Sequence, residues 1–357
     1  MKYLNMFSNC PVVRGKNRSL ICDLQMGKYH HIPNDMADVL KFLSTHSLEE
    51  CYSSYGYGNK GIVRSYVDYI LNHDMGFMDT SIINELVPLP LQWDAYSEIT
   101  NVIIELSPQL SYDIPFIKEL IDLNLEALEI RCYDRVDRDQ LLQFLNKFSK
   151  STVTSISILL KWEEWCTETN LSTLIDENLR INSIVVHASP HEKVIKLLKD
   201  SASIVYNKQV LASCLQCGVI KPGYFSTNVK LFTESQNYNT CLNRKLSIDK
   251  DGFIKNCPSL ADHFGHMDHT RLADVLAQPE FKKNWLINKD RIAVCRDCEF
   301  RHVCTDCRAY VEHPEDNYSK PLKCGYDPYA NVWEEWANIP LKQEAIAYYG
   351  FSNLTVE

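Results

Sequence analysis

Seven of the chain's fourteen cysteines crowd its last third in one ordered pattern. Cys241 and Cys257 flank Gly252. Cys295, Cys298, Cys304 and Cys307 then follow as C-x2-C-x5-C-x2-C, and Cys324 closes the set. Thiolates on such short tethers are what a tetrahedral metal or an iron–sulfur cluster requires. Whatever fold the chain adopts has to gather these sulfurs.

At 357 residues the chain exceeds one simple core, and two or three domains are expected. Its 45% hydrophobic and 23% charged residues suit a globular protein. A net charge of −9 argues against nucleic acid as a partner and leaves small molecules and peptides. No 18-residue apolar run and no signal-peptide-like start occur, so no membrane partner and a cytoplasmic location are expected. Thiols stay reduced there, and spaced cysteines read as metal ligands rather than disulfides.

Residues 1–85 read as one small domain. Ser19–Leu24 and Lys28–Ile32 flank Met26-Gly27 as a hairpin. Helices follow after Pro33-Asn34, from a Ser47/Glu50 capping box to Gly56, and along Ile62, Val63, Tyr66, Val67, Ile70 and Leu71. This is a winged-helix-like plan. Val87–Pro90 is the best boundary.

Residues 95–235 alternate strands (101–107, 126–131, 152–160, 182–188, 202–207) with helices (114–123, 139–148, 171–177, 192–198). Such alternation implies a parallel sheet, open or barrel-like. Residues 247–256 read as strand, tight turn and strand, with Gly252 at a positive φ, so that Cys241 and Cys257 meet at the hairpin's open end. Asp249 and Asp251 make only half a calcium loop, and calcium is not expected. His263, His266 and His269 read as a solvated loop rather than a metal face. His187 and Cys132 read as structural.

The hairpin-and-helix order of residues 1–85 resembles the peptide-recognition elements of enzymes that mature ribosomally made peptides. An extended leader peptide would pair with the free hairpin edge. Cys241–Cys324 resembles a SPASM domain (residues 236–335, before a tail at 336–357), the auxiliary-cluster module of many radical S-adenosylmethionine enzymes. That resemblance implies one 4Fe–4S cluster on Cys295, Cys298, Cys304 and Cys324. It implies a second on Cys241, Cys257 and Cys307, with Cys214 or Cys217 as a further ligand. The family has three residues before its sixth cysteine and this chain has two, before Cys307. Zinc on the same thiolates stays open as the alternative.

The C-x3-C-x2-C motif that binds the radical cluster is absent; the corresponding loop reads ELSPQLSYDIPF (105–116). The glycine-rich element after the second strand is also missing, replaced by EIRCYDR. Asn288–Tyr310 and the opening FSNCPVVRGKNRSLICDLQ resemble the SPASM-domain peptide maturases of the grasp-with-spasm type. The implied fold is α/β: a degenerate, partial (β/α) radical-enzyme barrel between a winged-helix-like recognition domain and the cysteine-rich module. The implied role is accessory. The chain would bind a precursor peptide and present it to an ATP-grasp ligase, with radical chemistry lost, no S-adenosylmethionine expected and no catalytic residue assigned. A redox or peptide-modifying enzyme running on the clusters, and a zinc-stabilised scaffold, remain as alternatives.

Overall fold

The computed structural model describes residues 1–112, 114–199 and 201–351. These divide into two compact units with interleaved chain segments. The first unit holds Met1–Trp93, Ile220–Thr240 and Ile287–Glu357; the second holds Asp94–Val219 and Cys241–Leu286.

In the first unit, β1 (Tyr3–Met6) pairs with β5 (Gly76–Asp79), and β2 (Val12–Arg14), β3 (Arg18–Asp23) and β4 (Lys28–Pro33) form an antiparallel sheet in that order. The expected hairpin is β3–β4, with register Arg18↔Pro33 to Asp23↔Lys28. Its turn forms because Asp23 Oδ1 accepts from the Met26 backbone N–H at 2.9 Å and Gly27 takes φ 68°. Helices α1 (Asn34–Leu43), α2 (Leu48–Tyr55) and α3 (Lys60–Asn72) follow as expected. The capping box is made: the Glu50 N–H donates to Ser47 Oγ at 3.3 Å, and the Ser47 N–H donates to Glu50 Oε2 at 2.8 Å.

Period-2 alternation gives this sheet two buried faces. Ile21 and Ile32 pack among Met36, Val39, Leu40, Val63, Val67 and Ile70 of the helices. Val13, Leu20, Cys22 and Tyr29 face Phe300, Val303, Cys304, Cys324 and Tyr326 of the cysteine-rich segment. Among the described residues β4 is paired on one side only, and its His30 Nδ1 lies 3.1 Å from Tyr69 Oη of α3.

The second unit is an eight-stranded sheet in the order β10-β11-β9-β8-β7-β6-β12-β13. β6 (Asn101–Glu105), β7 (Ala127–Arg131), β8 (Ser155–Lys161), β9 (Ile181–His187), β11 (Ala202–Tyr206) and β12 (Lys245–Ile248) run parallel, between antiparallel edges β10 (Lys193–Leu197) and β13 (Ile254–Lys255). Helices α4 (Ile114–Asp122), α5 (Arg138–Lys147) and α6 (Glu168–Glu177) pack on the face made by Val102, Ile104, Leu128, Ile130, Ile156, Ile158 and Ile184. The opposite face mixes polar and apolar residues. One row of partners runs Ser203, Ser183, Ser157, Glu129, Ile103, Ser247. A helix over 192–198 is the one expected element that the structure replaces: those residues form β10. Leu198 and Lys199 take φ 49° and 54°, turning the chain back onto β11, and five consecutive pairs with β11 outweigh the helical spacing of Val194, Leu197 and Leu198.

Candidate metal centres

The first cysteine nest is built by turns rather than by regular elements. Cys295 N donates to Ala293 O at 2.7 Å, closing a three-residue turn with Val294 at φ 66°, ψ −45°. A β-branched residue in that region costs on the order of 1–3 kcal/mol, which the surrounding packing must offset. A short 3-10 turn, Cys295–Asp297, then leads to Cys298. Cys295, Cys304 and Cys324 are buried and Cys298 is half-buried. The four lie close enough for their charges to act on one another: Cys295 and Cys304 feel Cys324, and Cys298 feels Cys295 and Cys304.

Burial pushes Cys295 up to about 12 and Cys304 up to about 11, with Lys289 opposing in both. Lys289, only 5% exposed, donates to Cys304 Sγ at 3.4 Å. Its pKa is raised even though burial alone would lower it, because Cys304 and then Asp306 hold its charge. Asp306 pairs with Arg308 at 2.9 Å and stands 3.9 Å from Lys289. Two buried cations thus share one buried carboxylate. The missing negative charge is supplied when the thiols ionise, as they do on a metal.

The second nest lies in the other unit. As the glycine predicted, Gly252 takes φ 85°, and a Cβ there would fall 2.5 Å from His266 Nε2. Asp249 Oδ1 accepts from the Asp251 and Phe253 N–H groups at 3.0 and 2.9 Å, so this aspartate holds the turn. Asn256 Nδ2 donates to Lys245 O at 2.7 Å, pinning the hairpin's open end where Cys241 and Cys257 interact. Burial, then Cys241, pushes Cys257 up to about 12. Cys217 also acts on Cys257 and on Cys214, so Cys214, Cys217, Cys241 and Cys257 form one electrostatic group. Ser213 caps the short turn Cys214–Gln216, and Cys217 N donates to Cys214 O at 3.0 Å. Lys245 Nζ donates to Cys241 Sγ at 3.6 Å. Arg131, at the end of β7, feels Glu129 and then Cys217. Glu105, at the end of β6, is 3% exposed; burial raises its pKa against the Lys250 N–H at 3.0 Å.

Cys307 is buried in the first unit, where its N–H donates to Asp306 Oδ1 at 2.7 Å. His187 Nε2 meets Cys132 O at 3.2 Å and its Nδ1 accepts from Leu211 N at 3.2 Å, a structural role. His266 Nε2 lies 2.9 Å from Asp251 O, and His263 packs on Phe253 at 4.5 Å. Lys289, Lys245, Arg131 and Asp306 escaped the reading of the sequence. Their only signal is a charged residue within a few positions of a cysteine, too common to single out. Among the described residues no three His, Cys, Asp or Glu side chains are closed around a single-ion position. The donor chemistry nonetheless fits a thiolate-bound group: soft ligands, burial and a nearby cation in each nest.

No protein-family model matches the sequence, and no curated protein matches it. A solved structure with some likeness is that of Streptococcus suis SuiB bound to precursor peptide SuiA. The likeness spans 87% of this chain and 96% of that one, at 10% identity and a TM-score of 0.28, too slight to transfer residue roles.

Proposed function

We propose that this chain is an accessory protein in the maturation of a ribosomally made peptide. It captures the precursor by strand addition on β4 and presents it to an ATP-grasp ligase. The reading is carried by one arrangement: a β-strand edge left open beside a helix, backed by a cysteine nest. β4 offers main-chain groups on its unpaired side, and α3 lines its flank with Tyr69. Extended peptides use such an edge for affinity and the adjoining groove for selectivity.

In this reading Cys295, Cys298, Cys304 and Cys324 hold one 4Fe–4S cluster. Another rests on Cys214, Cys217, Cys241 and Cys257, all of the second unit, in place of the set the resemblance implies, Cys241, Cys257 and Cys307 with Cys214 or Cys217 as the further ligand. The clusters supply structural closure and an electron-accepting centre. Radical chemistry is absent because the loop after β6 carries no cysteine. In that respect the chain binds and positions peptide and leaves bond formation to the ligase.

The test looks beside this gene for a short open reading frame and an ATP-grasp ligase, whose absence overturns the reading, and measures binding of the encoded, labelled peptide by fluorescence anisotropy. Low-micromolar binding that is lost in His30→Glu, with 5′-deoxyadenosine undetected on incubation with dithionite and S-adenosylmethionine, supports the reading. No binding at about 100 μM, some 5 kcal/mol of affinity, overturns it. Zinc without iron in anaerobically purified protein would replace the clusters by a scaffold metal.

A further inference from the structure

The C-x2-C-x5-C run leaves five residues between Cys298 and Cys304, and spacers of this kind usually read as slack. Here the spacer is committed along its length. Glu299 Oε1 accepts from Arg18 Nε and from Tyr326 Oη, each at 2.6 Å. Phe300, 3% exposed, stands edge-on to Tyr29 at 5.7 Å and to His31 at 5.3 Å. Arg301 Nη1 donates to Arg14 O at 2.7 Å. His302 Nδ1 lies 3.0 Å from Ser235 Oγ, and Val303 O accepts from Ser226 N at 2.9 Å. The β2–β3 turn closes on the same stretch. Lys16 N donates to Asp297 O at 2.8 Å, and Gly15 is so near that a Cβ would fall 2.8 Å from Glu299 N.

Tyr29 and His31 belong to β4, the strand whose other edge is open. The spacer therefore touches the outer face of the strand proposed to receive the peptide, while its two ends are proposed metal ligands. We infer that the Cys298–Cys304 spacer couples loading of the first nest to the shape of β4. The protein is then competent to bind peptide only when that nest is filled. This rests on the function proposed above.

The physical reason is chain closure. Tying Cys298 and Cys304 to one rigid group fixes both ends of a short loop and removes most of its conformers. Untied, the loop lets Phe300 leave its position, and β4 keeps its pairing with β3, the Tyr29–Phe225 contact and the inner contacts made through Ile32 and His30. Two edge-to-face ring pairs shift a local opening equilibrium by about tenfold.

The experiment is hydrogen-exchange mass spectrometry on full-length protein reconstituted anaerobically with iron and sulfide, with metal counted in every sample. Cys298→Ala opens the first nest, and Cys257→Ala opens the other as the control. Cys298→Ala is expected to speed exchange across residues 18–33 about tenfold, with Cys257→Ala leaving that segment at the wild-type rate. Phe300→Ala should retain its iron and still show the faster exchange. Should Phe300→Ala fail to fold, the exposed His31 serves instead, with His31→Ala giving about a threefold rise.

Unchanged exchange over 18–33 in iron-depleted Cys298→Ala overturns the coupling and leaves the proposed function standing. An equal rise over residues 155–161 of β8 overturns it too, because the effect would then be global. Absence of metal from the wild type removes the cluster reading itself, and the coupling falls with it.

Discussion

Lys289 carries the sharpest residue-scale argument. An isolated buried ammonium costs several kcal/mol, and Asp306 cannot neutralise both Lys289 and Arg308. The Nζ–H···Sγ bond to Cys304 and the positive charge both stabilise added electrons on a thiolate-bound cluster. Lys289→Met should therefore move the midpoint potential of the cluster proposed on Cys295, Cys298, Cys304 and Cys324 downward in an EPR-monitored redox titration. An unaltered potential at full iron content would show that the lysine plays no electronic part. His302 yields a second prediction. It is 6% exposed, and burial, then Arg301, lowers its pKa from 6.5 to about 4. The unfolded chain binds a proton below 6.5 that the folded chain refuses until about 4, so stability falls as pH drops through that window. The loss reaches about 3 kcal/mol near pH 4. Urea midpoints between pH 7 and 4 should fall less in His302→Gln than in the wild type. Neither residue was legible in the sequence, because a buried charge is defined by neighbours that arrive from elsewhere in the chain. The cysteines beside them were legible as a candidate group, since their spacing is local.

Elements were legible wherever local chemistry and packing agreed. The β3–β4 hairpin, the Ser47 capping box and the Gly252 turn all form from residues a few positions apart. β10 was not, because Val194, Leu197 and Leu198 fit a helical spacing and only pairing with β11 decides for a strand. β1, β2 and β5 are too short to carry a period; β1 and β5 exist through each other, far apart in sequence, and β2 through its pairing with β3. The Gly252 turn gives the element-scale prediction. Gly252→Ala combines a positive φ with a Cβ 2.5 Å from His266 Nε2, and the imidazole would have to leave Asp251 O. A destabilisation of about 1–3 kcal/mol is expected in chemical denaturation, together with reduced metal content on Cys241 and Cys257. Wild-type stability would mean that the hairpin tolerates a different turn.

At the scale of the molecule, the chain leaves the first unit at Trp93, returns for Ile220–Thr240, leaves again, and returns at Ile287. Composition and pattern read consecutive segments, so interleaving of this kind is invisible to them; it appears only when distant segments share a core. One consequence is that the cysteine-rich segment is divided. Cys295, Cys298, Cys304 and Cys324 belong to one unit, while Cys214, Cys217, Cys241 and Cys257 belong to the other. Each group has its own lysine on a sulfur, Lys289 on Cys304 and Lys245 on Cys241. Two groups with separate cations should load separately. Wild-type protein reconstituted anaerobically is expected to hold about eight irons and eight sulfides, two clusters of four. Cys298→Ala and Cys257→Ala should each fall to about four, and the double variant to near zero. If either single variant lost all its iron, the nests would be one cooperative site. If the wild type held only about four irons, one nest would be structural cysteine, and the variant that kept them would identify which.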